Sequence, residues 1–282
     1  MSYPGPRPHS RLWQLMRPLL RAAEELVFPP ICVACAAPLP AMAERHEESN
    51  WFCKACLEAI EPQVPPYCSK CGEMYDGAFT NAFRCSNCEG LKLEFDFAVA
   101  ACTARGPVRE LIHRFKYGRR LHLRASLAVL MRRVLEEERL RDEKLDDWLL
   151  VPVPLHAERE SDREFNQSWE LCLRLAEFTS IPAADVLERT LPTVKQANLN
   201  RRQRQENLRG AFRMRTARWW QRFDPPTDIR KRKILLVDDV LTTGATTDGV
   251  AAVLKNLGAE RVVVWAVARA VLEINRPPTR QA

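Results

Sequence analysis

Eight of the ten cysteines fall in four C-x-x-C pairs, and this pattern constrains residues 31–90 more than any other feature of the chain does. The pairs are Cys32/Cys35, Cys53/Cys56, Cys68/Cys71 and Cys85/Cys88. The stretch is poor in long apolar runs, so it cannot build a large hydrophobic core. Metal binding worth on the order of 10 kcal/mol can replace that core.

The spacing of the pairs favours zinc over a redox disulfide, for which one or two pairs would suffice. Structural zinc is commonly bound by four thiolates, so two pairs make one site. The gaps of 17 and 13 residues lie near the range of four-cysteine sites. We predict two structural zinc ions and prefer a sequential grouping, with crossed and nested groupings as alternatives. The sequential grouping is Cys32, Cys35, Cys53 and Cys56 for one ion, and Cys68, Cys71, Cys85 and Cys88 for the other.

Residues 10–28 have the apolar spacing of an amphipathic helix that ends at Pro29-Pro30. Charged side chains interrupt this segment, so it cannot span a bilayer. The sequence shows no secretory signal. We therefore expect a cytoplasmic protein without a membrane span, in which the cysteines stay reduced and available for metal.

From residue 95 onward, apolar runs typical of strands alternate with helical patterns. Strands are predicted at 95–102, 147–154, 210–214, 233–240 and 261–268, and helices at 107–117, 122–140, 166–179 and 245–258. This alternation predicts an α/β fold, a parallel sheet flanked by helices. The predicted domains are an N-terminal helix (1–30), a cysteine-rich zinc module (31–92) and the sheet domain (93–275).

The segment "KILLVDDVLTTGATT" (233–247) joins a buried strand to a predicted helix through two carboxylates and a small, hydroxyl-rich turn. Backbone N–H groups and hydroxyls at a helix N-terminus bind phosphate, and Gly244 permits a close backbone approach. The carboxylates of Asp238 and Asp239 require hydrogen-bond donors instead. A ribose 5-phosphate satisfies both, because it offers a phosphate to the turn and two hydroxyls to the acids. No G-x-x-x-x-G-K-[ST] motif is present, which argues against a P-loop ATPase.

This segment resembles the phosphoribosyl pyrophosphate (PRPP) signature of type I phosphoribosyltransferases. The chain is similar to the ComF family over about residues 10–270. The similarity is carried by this segment, the cysteine-rich N-terminus and three further motifs: "LIHRFKY" (111–117), "VPVPLHAERESDREFNQS" (151–168) and "GAF" (210–212). That family is associated with natural competence and the handling of incoming single-stranded DNA. The resemblance implies a type I phosphoribosyltransferase-like fold with a double zinc-ribbon-like module at its N-terminus.

The resemblance also implies roles for individual residues, with Mg²⁺ accompanying PRPP. Asp238 and Asp239 would be the catalytic pair that binds the ribose hydroxyls. The 5-phosphate would bind to Thr242, Thr243, Gly244, Ala245 and Thr246. The pyrophosphate side would be formed by Pro154, Leu155, His156, Arg159, Arg163 and Lys116. One departure is Glu164, which stands where the family usually has glycine and adds bulk and negative charge beside the anion site.

The net charge of +7 is unevenly distributed. Residues 1–100 carry 9 basic and 12 acidic side chains, while residues 101–282 carry 34 and 24. The excess is sharpest between Lys195 and Arg218, a basic stripe with eight basic side chains and one acidic one. Such a stripe suits phosphates; a solvated helix or loop face is the alternative. The candidate nucleic-acid contacts in the stripe are Lys195, Arg201, Arg202, Arg204 and Arg209.

Three functions follow as hypotheses. The first is a PRPP-binding protein that handles single-stranded DNA during natural transformation, with a helicase or a translocation-machinery protein as a further partner. The second is a phosphoribosyltransferase whose acceptor the sequence does not reveal. The third is a PRPP-sensing regulator in which the ligand orders residues 195–218.

Overall fold

The computed structural model describes residues 29–40, 47–75, 83–155, 165–190, 210–215 and 228–271. The helix predicted at 10–28 lies outside these residues. The chain divides into two compact units, Met1–Leu57 and Glu58–Ala282. The first predicted zinc-binding group of four cysteines, here called the first tetrad (Cys32, Cys35, Cys53 and Cys56), belongs to the first unit. The second tetrad (Cys68, Cys71, Cys85 and Cys88) belongs to the same unit as the sheet. Among the described residues, no helix has both the length and the apolar character needed to cross a membrane.

The described strands and helices follow the predicted order closely. The strands are β1 (Phe97–Thr103), β2 (Trp148–Pro152), β3 (Leu187–Arg189), β4 (Phe212–Met214), β5 (Lys233–Leu241) and β6 (Arg261–Arg269). The α-helices are α1 (Lys54–Glu58), α2 (Gly106–Tyr117), α3 (Leu123–Met131), α4 (Glu138–Arg141), α5 (Gln167–Thr179) and α6 (Ala245–Asn256). Short 3-10 helices span Glu48–Asn50, Arg132–Glu136 and Leu145–Asp147.

Four strands form one parallel sheet in the order β1-β6-β5-β2. Its two central strands are buried along most of their length, and Ile234 to Val237 of β5 are fully shielded from solvent. Such continuous apolar runs arise because helices cover both faces of a parallel sheet. The predicted parallel sheet flanked by helices is confirmed. β3 and β4 form a separate antiparallel pair.

One predicted helix is interrupted. The sequence pattern predicts a single helix over 122–140, but α3 ends at Met131 and gives way to a 3-10 turn before α4. Glu137 has an extended ψ of 124°, which is incompatible with a continuous helix. Its carboxylate accepts hydrogen bonds from Tyr67 Oη at 2.5 Å and Arg139 Nε at 2.6 Å. Tyr67 lies next to the second tetrad, and Arg139 Nη1 donates to Ser69 O of the same segment at 2.7 Å, so contacts with this segment compete with helix continuation.

The segment before and within the second tetrad covers β1, the edge strand of the sheet. Backbone N–H groups of Ala98 and Thr103 donate to the carbonyls of Lys70 and Glu61 at 2.9 Å each. Gln63 closes the gap between them, since its side chain accepts from Ala100 N at 2.7 Å and donates to Gly72 O. An otherwise open edge is thereby paired with the chain's own cysteine-rich segment.

We expect Gln63→Ala to lower the free energy of unfolding by about 1–3 kcal/mol, because Ala100 N and Gly72 O would lose their partner. Urea denaturation followed by tryptophan fluorescence measures this. The exposed neighbouring substitution Val64→Ala is the matched control and should shift stability by less than about 0.5 kcal/mol. Equal, small effects of both substitutions would show that the edge is held without Gln63.

Candidate functional site

The carboxyl ends of β5 and β2 meet at one edge of the sheet. This edge carries Asp238 and Asp239, which we call the acidic pair. The two strands are neighbours, and Val153 N donates to Val237 O at 2.9 Å directly beyond the end of β2. Because Pro152 pairs with Val237, Val153 lies at the level of Asp238, and Pro154 and Leu155 follow it at the same edge of the sheet. In open parallel sheets, ligands bind in the crevice outside such strand ends.

Asp238 is held at this edge by two hydrogen bonds. Its Oδ1 accepts from Asp239 N at 2.9 Å and from Ser168 Oγ at 3.4 Å. Burial, together with the negative charge of Asp239, raises the pKa of Asp238 to about 7, while Lys116 acts in the opposite direction. Ionisation of one carboxyl group therefore disfavours ionisation of its neighbour. Perturbed pKa values of this kind cluster at functional sites.

Asp239 is 6% exposed and forms an ion pair with Lys116. Lys116 Nζ lies 2.8 Å from Asp239 Oδ1. The lysine comes from the last turn of α2, which packs Phe115 into the core and so directs the neighbouring side chain toward the sheet edge. The resemblance suggested the pyrophosphate side for Lys116, and the structure shows its ammonium group on the acidic pair.

The N-terminus of α5 completes this part of the site. Asn166 caps the helix by accepting from Ser168 N at 3.0 Å, and its Nδ2 donates to Val153 O at 3.2 Å. One side chain thus connects the helix to the end of β2. Ser168 was not among the site residues predicted from the sequence. The available signal was its position in "FNQS", two residues after a capping asparagine at the predicted helix start.

We define the phosphate loop, named for the ligand predicted from the sequence, as Thr242–Thr246, which runs from the end of β5 into the first turn of α6. Gly244 has φ of +76°, a left-handed conformation that residues with a side chain adopt only at a cost. The buried hydroxyl of Thr247 donates to Gly244 O at 2.9 Å and fixes the turn. Thr242 is exposed, and Thr243 and Thr246 are half-buried. The loop thus places three threonines, none of them buried, at the N-terminus of α6, an arrangement suited to an oxyanion.

Several predicted residues lie outside the described residues. On the pyrophosphate side these are His156, Arg159, Arg163 and also Glu164. All five nucleic-acid candidates belong to this group as well: Lys195, Arg201, Arg202, Arg204 and Arg209. The described part of the site therefore consists of the acidic pair, Lys116, Ser168, the end of β2 and the phosphate loop.

The eight paired cysteines form two tetrads in the sequential grouping. In each tetrad the four Sγ atoms lie within 4.8 Å of one another: Cys32, Cys35, Cys53 and Cys56, and Cys68, Cys71, Cys85 and Cys88. The Sγ–Sγ distances of Cys35–Cys53 and Cys71–Cys85 are both 3.6 Å. Two thiolates on one tetrahedral zinc, with Zn–S of about 2.3 Å, stand about 3.8 Å apart. The tetrads fit two structural zinc ions. Cys102 and Cys172 are buried, as expected for core residues.

Comparisons with known proteins identify the family. The double zinc ribbon domain family matches residues 23–89. Competence protein F of Haemophilus influenzae is 30% identical over 241 residues, which are 85% of this chain and 96% of that protein. The chain belongs to the competence protein F family. DNA utilization protein YhgH of Escherichia coli K12, also 30% identical, matches over 86% of this chain and 99% of its own length. The ComF resemblance and the double zinc ribbon are thus confirmed.

The solved structures matched by this chain include phosphoribosylpyrophosphate synthetase from Mycobacterium smegmatis, with a TM-score of 0.30 and 16% identity over 52% of this chain and 34% of that one. Hypoxanthine phosphoribosyltransferase from Trypanosoma cruzi has a TM-score of 0.30 and 13% identity over 54% and 73% of the two chains. The fold of this chain, as described above, rests on its own strand order, β1-β6-β5-β2.

The raised pKa of Asp238 predicts a pH-dependent stability difference. An unfolded aspartate titrates near 3.9, whereas folded Asp238 keeps its proton up to about pH 7. The folded state then binds more protons, so stability falls as pH rises from about 4 to 7. Asp238→Asn removes this cost. We expect the variant to melt at a higher temperature than wild type at pH 8, with the difference shrinking toward pH 5.

The matched control is Asp228→Asn, since Asp228 is exposed and its hydrogen bond with Arg230 lowers its pKa. This variant should gain no stability at pH 8. Differential scanning calorimetry between pH 5 and 8 measures both variants. A gain for Asp238→Asn that is the same at every pH would contradict the assigned pKa.

Metal content tests the tetrads. We expect Cys53→Ser to reduce bound zinc from two ions to one, because the first tetrad loses a ligand and the second is complete without it. Native mass spectrometry of the full chain reports the number of ions. Cys102→Ser is the control, because Cys102 is buried in β1 and donates to Val267 O at 3.2 Å outside either tetrad. Retention of two ions in Cys53→Ser would contradict the grouping.

Proposed function

We propose that this protein binds PRPP, with Mg²⁺, at the carboxyl edge of β5 and β2 and handles single-stranded DNA during DNA uptake or use. The observation that carries the proposal is the juxtaposition of the acidic pair with the phosphate loop at the end of one strand. The names of the relatives, competence protein F and DNA utilization protein, support the DNA-related part.

The acidic pair suits the ribose and the cation. Carboxylate oxygens accept hydrogen bonds from hydroxyl groups, each worth roughly 1.5–3 kcal/mol, and oxygen ligands are those that Mg²⁺ prefers. Bound Mg²⁺ would neutralise charge on the pyrophosphate. Because Lys116 neutralises Asp239 in the described structure, a ribose hydroxyl at Asp239 would share or replace that ion pair.

The phosphate loop suits the 5-phosphate. Its geometry is set by the left-handed Gly244 and by the buried Thr247 hydroxyl, and neither group has to reorganise when an anion binds. The helix dipole of α6 adds a favourable interaction of about 0.3–1 kcal/mol at its N-terminus. The phosphate bound at the loop and the hydroxyls bound at the acidic pair would belong to one molecule of ribose 5-phosphate.

The exposed corner between α2 and α3 suits single-stranded DNA. Tyr117 is 62% exposed and its ring lies 4.9 Å from that of His113. Arg119, Arg120 and His122 follow it on the surface. The pKa of His122 is lowered by desolvation and then by the charges of nearby arginines, which indicates positive potential at this corner. Aromatic stacking and phosphate contacts bind single strands without sequence preference.

The acidic pair provides the test of the ligand. We expect Asp239→Asn to weaken PRPP binding at least about tenfold, the effect of losing roughly 1.5 kcal/mol, in isothermal titration with Mg²⁺ present. Asp228→Asn, the exposed control, should bind as wild type does. Equal affinity of Asp239→Asn and wild type would refute the assigned site. Release of pyrophosphate on adding a nucleobase would favour a transferase, and binding without turnover would favour a handling or sensing role.

The exposed corner provides the test of the DNA. We expect Tyr117→Ala to weaken binding of a labelled single-stranded oligonucleotide by about 5- to 150-fold, the loss of one stacked base. Arg120→Ala should reduce the salt slope of log K by about 0.7. Tyr75→Ala, at another exposed tyrosine, is the control. Fluorescence anisotropy measures all three, and an unchanged affinity in Tyr117→Ala would exclude this corner.

A further inference from the structure

Arg269, the last residue of β6, is a buried cation in contact with two separate features of the molecule. Its side chain is 3% exposed. Nη1 donates to the carbonyl oxygens of Leu241, at 2.8 Å, and Thr242. Nη2 lies 3.8 Å from Cys71 Sγ and 3.7 Å from Glu73 Oε2. One guanidinium group thus joins the start of the phosphate loop to the second cysteine tetrad.

The loop end of this connection determines how the phosphate loop is presented. Leu241 and Arg269 are paired in the β5–β6 register, and Ala270 N also donates to Leu241 O at 2.9 Å. The Thr242 carbonyl points toward Arg269. Because the peptide unit is planar and trans, the N–H of Thr243 points the opposite way, away from the guanidinium. Arg269 therefore fixes the orientation of the first peptide in the loop.

The other end of the connection concerns the metal. A zinc ion with four thiolates carries net negative charge, and Glu73 adds another anion, with Oε2 only 3.4 Å from Cys85 Sγ. Asn87 donates to the same carboxylate at 3.0 Å. A buried cation and a buried anionic cluster each require the other. Groups that contact metal ligands in this way orient the ligands and tune the site.

We propose that Arg269 is a positioning residue that couples zinc in the second tetrad to the conformation of the phosphate loop. Zinc fixes the four sulfurs, the sulfurs and Glu73 fix the guanidinium, and the guanidinium fixes the Leu241 and Thr242 carbonyls. Loss of this one zinc ion therefore loosens the loop. The coupling between metal and loop stands by itself, and only its consequence for ligand binding rests on the proposed function.

The first experiment is hydrogen exchange of the full chain, with and without zinc removal by a chelator. In wild type, we expect removal to speed exchange at residues 242–248 by about 5- to 150-fold, while amides in the middle of β6 keep their protection. In Arg269→Met the loop should already exchange fast, and zinc removal should add little. Arg213→Met, at an exposed arginine paired with Glu188, should behave as wild type.

This lack of additivity separates coupling from general destabilisation, since a merely structural role would leave the effect of zinc unchanged in Arg269→Met. The proposal is overturned if zinc removal speeds loop exchange equally in wild type and Arg269→Met. It is also overturned if wild-type loop exchange does not respond to zinc.

The second experiment measures the reverse direction, which thermodynamic linkage requires. The Cys53→Ser background keeps zinc in the second tetrad, so extraction by a chromophoric chelator reports on that site. Zinc should strengthen the binding of ribose 5-phosphate by some factor, and ribose 5-phosphate should strengthen zinc retention by the same factor. Arg269→Lys should abolish both effects. Binding of ribose 5-phosphate without any effect on zinc would overturn the coupling. Absence of ribose 5-phosphate binding would refute the proposed function, and the exchange experiment would then decide the coupling.

Discussion

The ion pair between Lys116 and Asp239 is the interaction on which the candidate site depends. Two carboxylates at the end of a buried strand repel each other, and burial raises the pKa of Asp238 to about 7. A single lysine from α2 forms an ion pair with Asp239 at 2.8 Å. Such an arrangement stabilises the fold less than an apolar strand end would, so its presence favours a function for the acids.

The parallel sheet explains why the components of the site meet. β5 is central and pairs with β2 on one side and β6 on the other. The carboxyl end of β2 places Val153 beside β5, and Asn166 ties the start of α5 to Val153 so that Ser168 reaches Asp238. The carboxyl end of β6 places Arg269 beside the phosphate loop. The cysteine-rich segment covers the edge strand β1 and brings the second tetrad to the same guanidinium. The second tetrad, the sheet and the loop thus form one connected network in the second unit.

Sequence patterns predicted much of this architecture because most of it depends on local signals. The apolar run of β5, the glycine at the start of α6 and the C-x-x-C pairs can each be read from a few neighbouring residues. Three features could not be predicted in this way. The break at Glu137 depends on Tyr67, 70 positions away, and the bond from Ser168 to Asp238 also spans 70 positions. The contact of Arg269 with Cys71 spans 198 positions, so no periodicity reveals it.

Helix α2 carries both Lys116, at the proposed PRPP site, and Tyr117, at the proposed DNA-binding corner. The most direct test of the proposed function is fluorescence anisotropy of a labelled single-stranded oligonucleotide titrated with the protein at several salt concentrations, with and without Mg-PRPP. The account predicts binding that weakens with salt, at a slope of roughly −0.7 per phosphate contact, and an affinity that changes when PRPP is present. Salt-dependent binding that is identical with and without PRPP, or no binding at low salt, would contradict it.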